Sequence, residues 1–353
     1  MPEERVTEVK AADVAAITAS FEPEQENLFK KMNVVGMGVG TNVKGGEDTG
    51  EPCVKVLVSQ KLPLDLLTEG DKIDPKVGSY NTDVEEVGEL FAGHPFMSSR
   101  VPPESQEEVT PQPFMSTGQP EEEVTPQPFM ATALTPRIRP VEGGFSVGHY
   151  RITAGTYATA VYDRSPYPGI PPRYYVLSNN HVLANSNNAR IGDPILQPGP
   201  YDGGTYPGDM IARLSRFVPI RFDGTCNYVD AAVAEGPFHW LDREIYWIGF
   251  VKGVRREWPQ IGEILQKTGR TTNYTTGRVR AINAIVNVNY GGGRVGRFCR
   301  QIVTANMSAG GDSGSLVLDL NENAVGLLFA GSSVATIMNH IVYVQALLAI
   351  RIV

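Results

Sequence analysis

Apolar and polar positions along the chain fall into three regimes. Over residues 1–92 short apolar runs alternate with charged or glycine-rich turns. Glu24 to Met32 predicts a short helix, and an apolar, glycine-rich stretch follows from Asn33 to Gly40. Cys53 to Val58 has the β-branched, apolar composition of a strand. Pro63 to Leu67 predicts a brief helix start, and Thr82 to Gly88 a closing strand. Together these predict a small α+β module. Gly36, Gly38 and Gly40 do not form a nucleotide-binding fingerprint, because the third glycine comes too early and no long helix follows.

Residues 93–138 change character. They hold nine of the 26 prolines, six glutamates and only two basic residues, Arg100 and Arg137. Such a composition buries too little apolar surface to offset the entropy of ordering. The stretch Glu107 to Met115 recurs as Glu122 to Met130, and the triplet Pro-Phe-Met also occurs at 95–97. A duplicated, extended linker is the plainest reading.

From 139 to 353 short runs of β-branched and aromatic residues recur between Gly, Pro and Asn turns, as in Ile152–Val161, Tyr174–Leu177, Val229–Ala234, Arg278–Tyr290 and Ser315–Leu320. This spacing predicts an all-β sandwich or barrel and not a βαβ array. Val342 to Ile350 predicts a final helix. Two six-stranded barrels and a terminal helix fit the length.

Composition narrows the function classes. Hydrophobic residues make up 41% and charged residues 20%, which is enough apolar material for a core. The net charge is −8 and no basic cluster suggests a nucleic-acid partner. The first 25 residues carry acids where a secretory leader has basic residues, and no segment approaches the ~18–20 unbroken apolar residues of a membrane span. The expectation is a soluble, cytoplasmic protein with no membrane partner, with a leaderless export route as the open alternative. Cys53, Cys226 and Cys299 are too few for a disulfide framework and match no zinc spacing. They read as small buried hydrophobes, with a Cys226–Cys299 bridge as the exception. No histidine pair has metal-ligand spacing, so neither a metal nor another cofactor is expected.

The chemistry gathers in the third segment. Gly311-Asp-Ser-Gly314 precedes an apolar strand. A serine hydroxyl is a poor nucleophile without a base in hydrogen-bond reach, and acyl transfer needs donors for the oxyanion. Glycines beside Ser313 permit a sharp turn, with the N–H groups of Gly311 and Ser313 as the donors. His181 ends the apolar strand of Leu177 to Leu183 at a turn and is the candidate base. Asp230 heads the apolar strand Asn227 to Ala234, where a carboxylate calls for a partner such as an imidazole N–H. The order is His, Asp, Ser, which is the chymotrypsin order and not that of subtilisin or the α/β-hydrolases.

The segments around His181, Asp230 and Ser313 resemble those of trypsin-like serine peptidases. Thr268-Gly-Arg-Thr-Thr272 with Gly277-Arg-Val279 is similar to a hairpin of the bacterial chymotrypsin-like enzymes. Val325 to Ser332 is similar to the strand whose edge receives the substrate backbone. More closely, the chain resembles bacterial relatives of the plant NARROW LEAF proteins, at Gly148-His-Tyr150, Gly155-Thr156, Leu177 to Ala184, Gly192 to Gly199, Gly203-Gly204 and Gly311 to Ser315. It does so again in the first module, at Gly36 to Gly40 and Thr82 to Gly88. The resemblance implies a mainly β, chymotrypsin-like double barrel behind a small α+β module. It also implies a serine endopeptidase acting on protein or peptide substrates through His181, Asp230 and Ser313. The implied substrate-binding residues are Met307, Phe329, Ala330, Gly331 and Ser332, with no acid among them, so an apolar residue is expected before the scissile bond. Phe329 stands where such enzymes often place a serine beside the acid, which leaves one bond to Asp230 to be made by another group. The tethered Pro-Phe-Met triplets could enter the cleft as inhibitor or slow substrate. The competing class is a peptidase-fold binding or scaffold protein with little turnover.

Overall fold

The computed structural model describes residues 6–93, 132–152, 154–164 and 173–352. The repeats and the Pro-Phe-Met triplets lie outside the described residues. The expected class is present: mainly β, with two barrel-like sheets behind a small helix and strand module.

In the module the helix near Glu24 spans Gln25–Lys30, and the Pro63 region forms one 3-10 turn, Leu64–Leu66. A longer helix, Ala11–Phe21, was not among the expected elements. Its apolar face is narrow and set among alanines, yet Val14, Ile17 and Phe21 recur on one side and are buried. Burying Ile17 and Phe21 contributes about 1.5–3 kcal/mol each.

The glycine-rich stretch is a strand, Val34–Lys44, which pairs with Glu47–Val58 on one side and with Asn273–Asn289 of the third segment on the other. Its glycines permit that second pairing. A Cβ at Gly36 would lie 2.7 Å from the Ile285 carbonyl oxygen, and one at Gly38 would lie 2.9 Å from the Ala284 Cβ. The module therefore continues a sheet of the third segment. Apolar contact reinforces the seam, with Leu57, Val87, Leu90 and Ala92 sharing a core with Val286, Phe298 and Phe329.

Within that sheet the strands Asn273–Asn289, Ile264–Gly269, Leu316–Asp319, Asn323–Gly331, Ala335–His340 and Val295–Ala305 follow one another in hydrogen-bonded order. Val295–Ala305 also pairs with Asn273–Asn289, which closes the ring into a barrel. The other sheet holds Ser146–His149, Gly155–Thr156, Ala160–Asp163, Tyr174–Ser178, Pro194–Leu196, Met210–Phe217, Ala232–Gly236 and Ile350–Arg351. Gly155–Thr156 lies at one end and Ala160–Asp163 near the other, so the chain between them carries the sheet round. The final helix, Ile341–Leu348, packs Ile341, Val344 and Leu348 into the core shared by the two sheets.

Cys226 and Cys299 form a disulfide, so only Cys53 follows the reading of the cysteines as buried hydrophobes. Burial pushes the Cys53 thiol up to about 12. Among the described residues no helix is long and apolar enough to cross a membrane.

Candidate active site

The strand Tyr174–Ser178 delivers His181 through a single helical turn, Asn180–Leu183. The polar run Ser178-Asn179-Asn180 is fully buried, and each side chain pins a distant backbone. Ser178 Oγ donates to Thr156 O at 2.8 Å, Asn179 Nδ2 to Asp230 O at 2.8 Å, and Asn180 Nδ2 to Val218 O at 2.7 Å. These bonds hold the three side chains that lead into His181, although the Asn179 Oδ1 has no partner among the described residues.

Asp230 is fully buried at the head of the strand Ala232–Gly236. Its Oδ2 lies 2.6 Å from His181 Nδ1, and its Oδ1 accepts the His181 backbone N–H at 3.1 Å. This pairing places the Nδ1 proton toward the carboxylate and leaves Nε2 free to act as a base. Among the described residues, buried His181 Nε2 has no hydrogen-bond partner. No hydrogen bond joins it to Ser313 Oγ, but both residues line one cavity of about 560 Å³.

Ser313 sits on the turn before the strand Leu316–Asp319. Gly311 adopts φ +102° and Gly314 φ +99°, where L side chains are strained. A Cβ at Gly314 would also fall 2.1 Å from Ser178 Oγ. The turn is tied to the other sheet, since Thr156 Oγ1 donates to Gly311 O at 2.9 Å and Thr156 N to Ser313 O at 2.7 Å. Among the described residues the N–H groups of Gly311 and Ser313 have no acceptor. Both N–H groups are therefore open to an acceptor from outside the described residues.

Two supporting residues were missed by sequence reasoning. Tyr290, just beyond the strand Asn273–Asn289, donates its hydroxyl to Asp230 Oδ2 at 2.7 Å. It supplies the bond that Phe329 cannot. Burial above all, and then Asp230, hold the Tyr290 phenol well above its ordinary value, so it stays protonated and donates. The second is Lys267, which is fully buried and 3.2 Å from the equally buried Asp312. Asp312 also accepts from the N–H groups of Thr271, Thr272 and Ala309 and from the Thr272 hydroxyl. These bonds fix the residue immediately before Ser313. Burial lowers the Lys267 ammonium from its ordinary value, and Asp312 opposes that shift. The available signal was a lysine inside the apolar strand Ile264–Gly269.

The five expected substrate-binding residues do not line the cavity. Phe329 is fully buried, with its ring 4.6 Å from that of Phe298. Met307 and Ala330 are also buried in the core clusters. Ser332 Oγ donates to Val87 O, and Gly331 pairs with Phe91. The cavity is walled instead by Arg151, Ile152, Tyr201, Arg270, Thr271 and the loop Ala309 to Gly311. The remaining described histidines stand apart from it, with His149 bonded to Asp193 at 3.0 Å and His340 beside Trp258. Among the described residues no group of three or more His, Cys, Asp or Glu could hold a metal ion.

No protein-family model and no curated protein matches the chain. Among solved structures, it is similar to Thermobifida fusca protease A at 14% identity, over 60% of this chain and 97% of that one, with a TM-score of 0.42. It is similar to Nocardiopsis protease at 18% identity, over 60% and 97%, with a TM-score of 0.43. It is also similar to Cellulomonas bogoriensis chymotrypsin at 17% identity, over 60% and 98%, with a TM-score of 0.41. These values are low, and the chemistry of the site rests on its own geometry.

Proposed function

We propose that the chain is a serine endopeptidase that hydrolyses peptide bonds through an acyl-enzyme. The observation that carries this reading is the buried Asp230–His181 pair at 2.6 Å, with unpartnered Nε2 on the cavity that Ser313 lines. In the proposed reaction Ser313 Oγ attacks the substrate carbonyl carbon while His181 Nε2 takes the hydroxyl proton. The N–H groups of Gly311 and Ser313 stabilise the resulting oxyanion. His181 then returns the proton to the leaving amine as the C–N bond breaks. Water, deprotonated by the same nitrogen, cleaves the ester and restores the serine. Each step uses side chains and backbone of this chain. Kinship to the plant NARROW LEAF proteins belongs to the same reading. The cytoplasmic location expected from the sequence stays a proposal, and the Cys226–Cys299 disulfide weighs against it, because a reducing compartment opposes such a bond.

A second reading, a peptidase-fold binding protein with little turnover, is favoured by the engagement of Gly331 with Phe91. A fluorophosphonate probe separates the two. The wild type is expected to be labelled at Ser313, whereas Ser313→Ala and His181→Ala should both lose labelling and casein hydrolysis almost completely. Members of a triad act as a unit, so the double variant should be no worse than either single one. Hydrolysis surviving in clean Ser313→Ala protein would refute the assignment.

A further inference from the structure

The strand Asn323–Gly331 pairs with Leu316–Asp319 only as far as the Leu327–Leu316 pair. Beyond it, Leu328 N donates to Ser315 O at 3.0 Å and Leu328 O accepts from Gly314 N at 2.8 Å, and past Leu328 the neighbour on that flank, at Gly331, is the tail of the N-terminal module. Phe91 N donates to Gly331 O at 3.1 Å, and Gly331 N donates to Phe91 O at 3.1 Å, which makes a complete antiparallel bridge. On the other side of the tail, Ala92 N donates to Asn289 O at 3.0 Å and Asn289 N to Leu90 O at 2.9 Å. Leu90 and Ala92 are buried. Two residues past the bridge, a Cβ on Gly93 would lie 3.7 Å from His181 Cδ2, and Ala92 and Gly93 line the cavity with Ser313.

An extended peptide binds a sheet edge by antiparallel backbone pairing, with alternate residues bonded. A peptide whose carbonyl is to reach Ser313 from this edge needs the N–H and C=O of Gly331, and Phe91 uses both. We propose that Leu90–Gly93 holds the place of the acyl-side strand of a peptide ligand, and that such a ligand binds by displacing it. The proposal deepens the peptidase reading and rests on it for the word substrate, while the competence of the edge to bind a strand is tested separately. A tethered occupant acts at an effective concentration in the millimolar range, so its removal should raise the affinity for a free strand.

The test uses the full chain with Ser313→Ala, and the peptide acetyl-Leu-Phe-Ala-Gly-amide followed by calorimetry. Phe91→Pro removes the N–H given to Gly331, and Ala92→Glu places a charge where a methyl is buried. Each is expected to tighten peptide binding by about tenfold or more over the Ser313→Ala parent. Unchanged affinity in both variants, with native near-UV circular dichroism, would overturn the proposal. Should both variants fail to fold, the Ser313→Ala parent decides, because saturating peptide must then expose the Phe91 amide to hydrogen exchange. A Phe91 amide that stays protected under bound peptide overturns the proposal equally. Fluorophosphonate labelling of the chain with Ser313 intact is read in parallel, and its absence would refute the hydrolytic reading without touching the edge result.

Discussion

The Tyr290 hydroxyl lies 2.7 Å from Asp230 Oδ2, the same oxygen that faces His181 Nδ1 at 2.6 Å. One carboxylate oxygen is thus shared between the candidate base and a phenol from the other barrel. A hydrogen bond to a charged, buried acceptor is worth about 1.5–3 kcal/mol. Tyr290 is itself held by Phe298, whose ring lies 6.0 Å away, and Phe298 packs on Phe329. Phe329 therefore supports, through Phe298, the residue that bonds Asp230 Oδ2.

Tyr290→Phe removes the hydroxyl and keeps the ring. The expected outcome is a fall in kcat of roughly 10-fold or more, from the lost bond to Asp230, with KM little changed. Steady-state kinetics from pH 5 to 9 would check both. A wild-type kcat across that range would show that the phenol has no positioning role.

Lys267 and Asp312 form a buried pair at the turn that carries Ser313. Removing one partner of such a pair typically costs about 3–5 kcal/mol. Lys267→Met is expected to lose stability on that scale in urea unfolding, and to slow fluorophosphonate labelling of Ser313 because the Ala309 to Ser313 loop is released. Lys267→Met combined with Asp312→Asn removes both charges and should recover part of the stability. A loss in the double variant equal to the sum of the losses in Lys267→Met and Asp312→Asn alone would mean the pair is not coupled.

His340 caps the final helix by accepting the Val342 N–H at its Nδ1. Burial foremost lowers its pKa to about 4. Its unfolded value lies near 6.5, so above that pH both states are neutral and the residue costs nothing. As pH falls from about 6.5 to 4 the unfolded chain takes up a proton that the folded chain refuses, and stability declines by roughly 3 kcal/mol at most. His340→Asn retains a capping acceptor and should flatten that part of the stability–pH curve. Urea melts of the two proteins at pH 7, 5.5 and 4 measure the difference, and parallel curves would contradict the assignment.

The sequence alone determined the fold class and pointed to three candidate residues, of which the structure pairs His181 with Asp230 and sets His181 and Ser313 on one cavity. His181, Asp230 and Ser313 each announce themselves in a short window: a histidine ending an apolar strand, an acid heading one, and a serine between glycines. Those signals are local, because backbone turns and strand ends are set by neighbours a few residues away. The glycines at 36, 38 and 40 were equally visible, but their purpose was not, since it depends on the approach of Ile285 and Ala284 from a distant strand. The tertiary structure alone decided that Tyr290 completes the bonding of Asp230, that Lys267 neutralises Asp312, and that Phe91 fills the edge at Gly331. It also moved the expected substrate residues off the cavity wall. These are relationships between residues far apart in the chain, fixed by barrel closure and sheet register, and a local pattern of side chains carries no record of them.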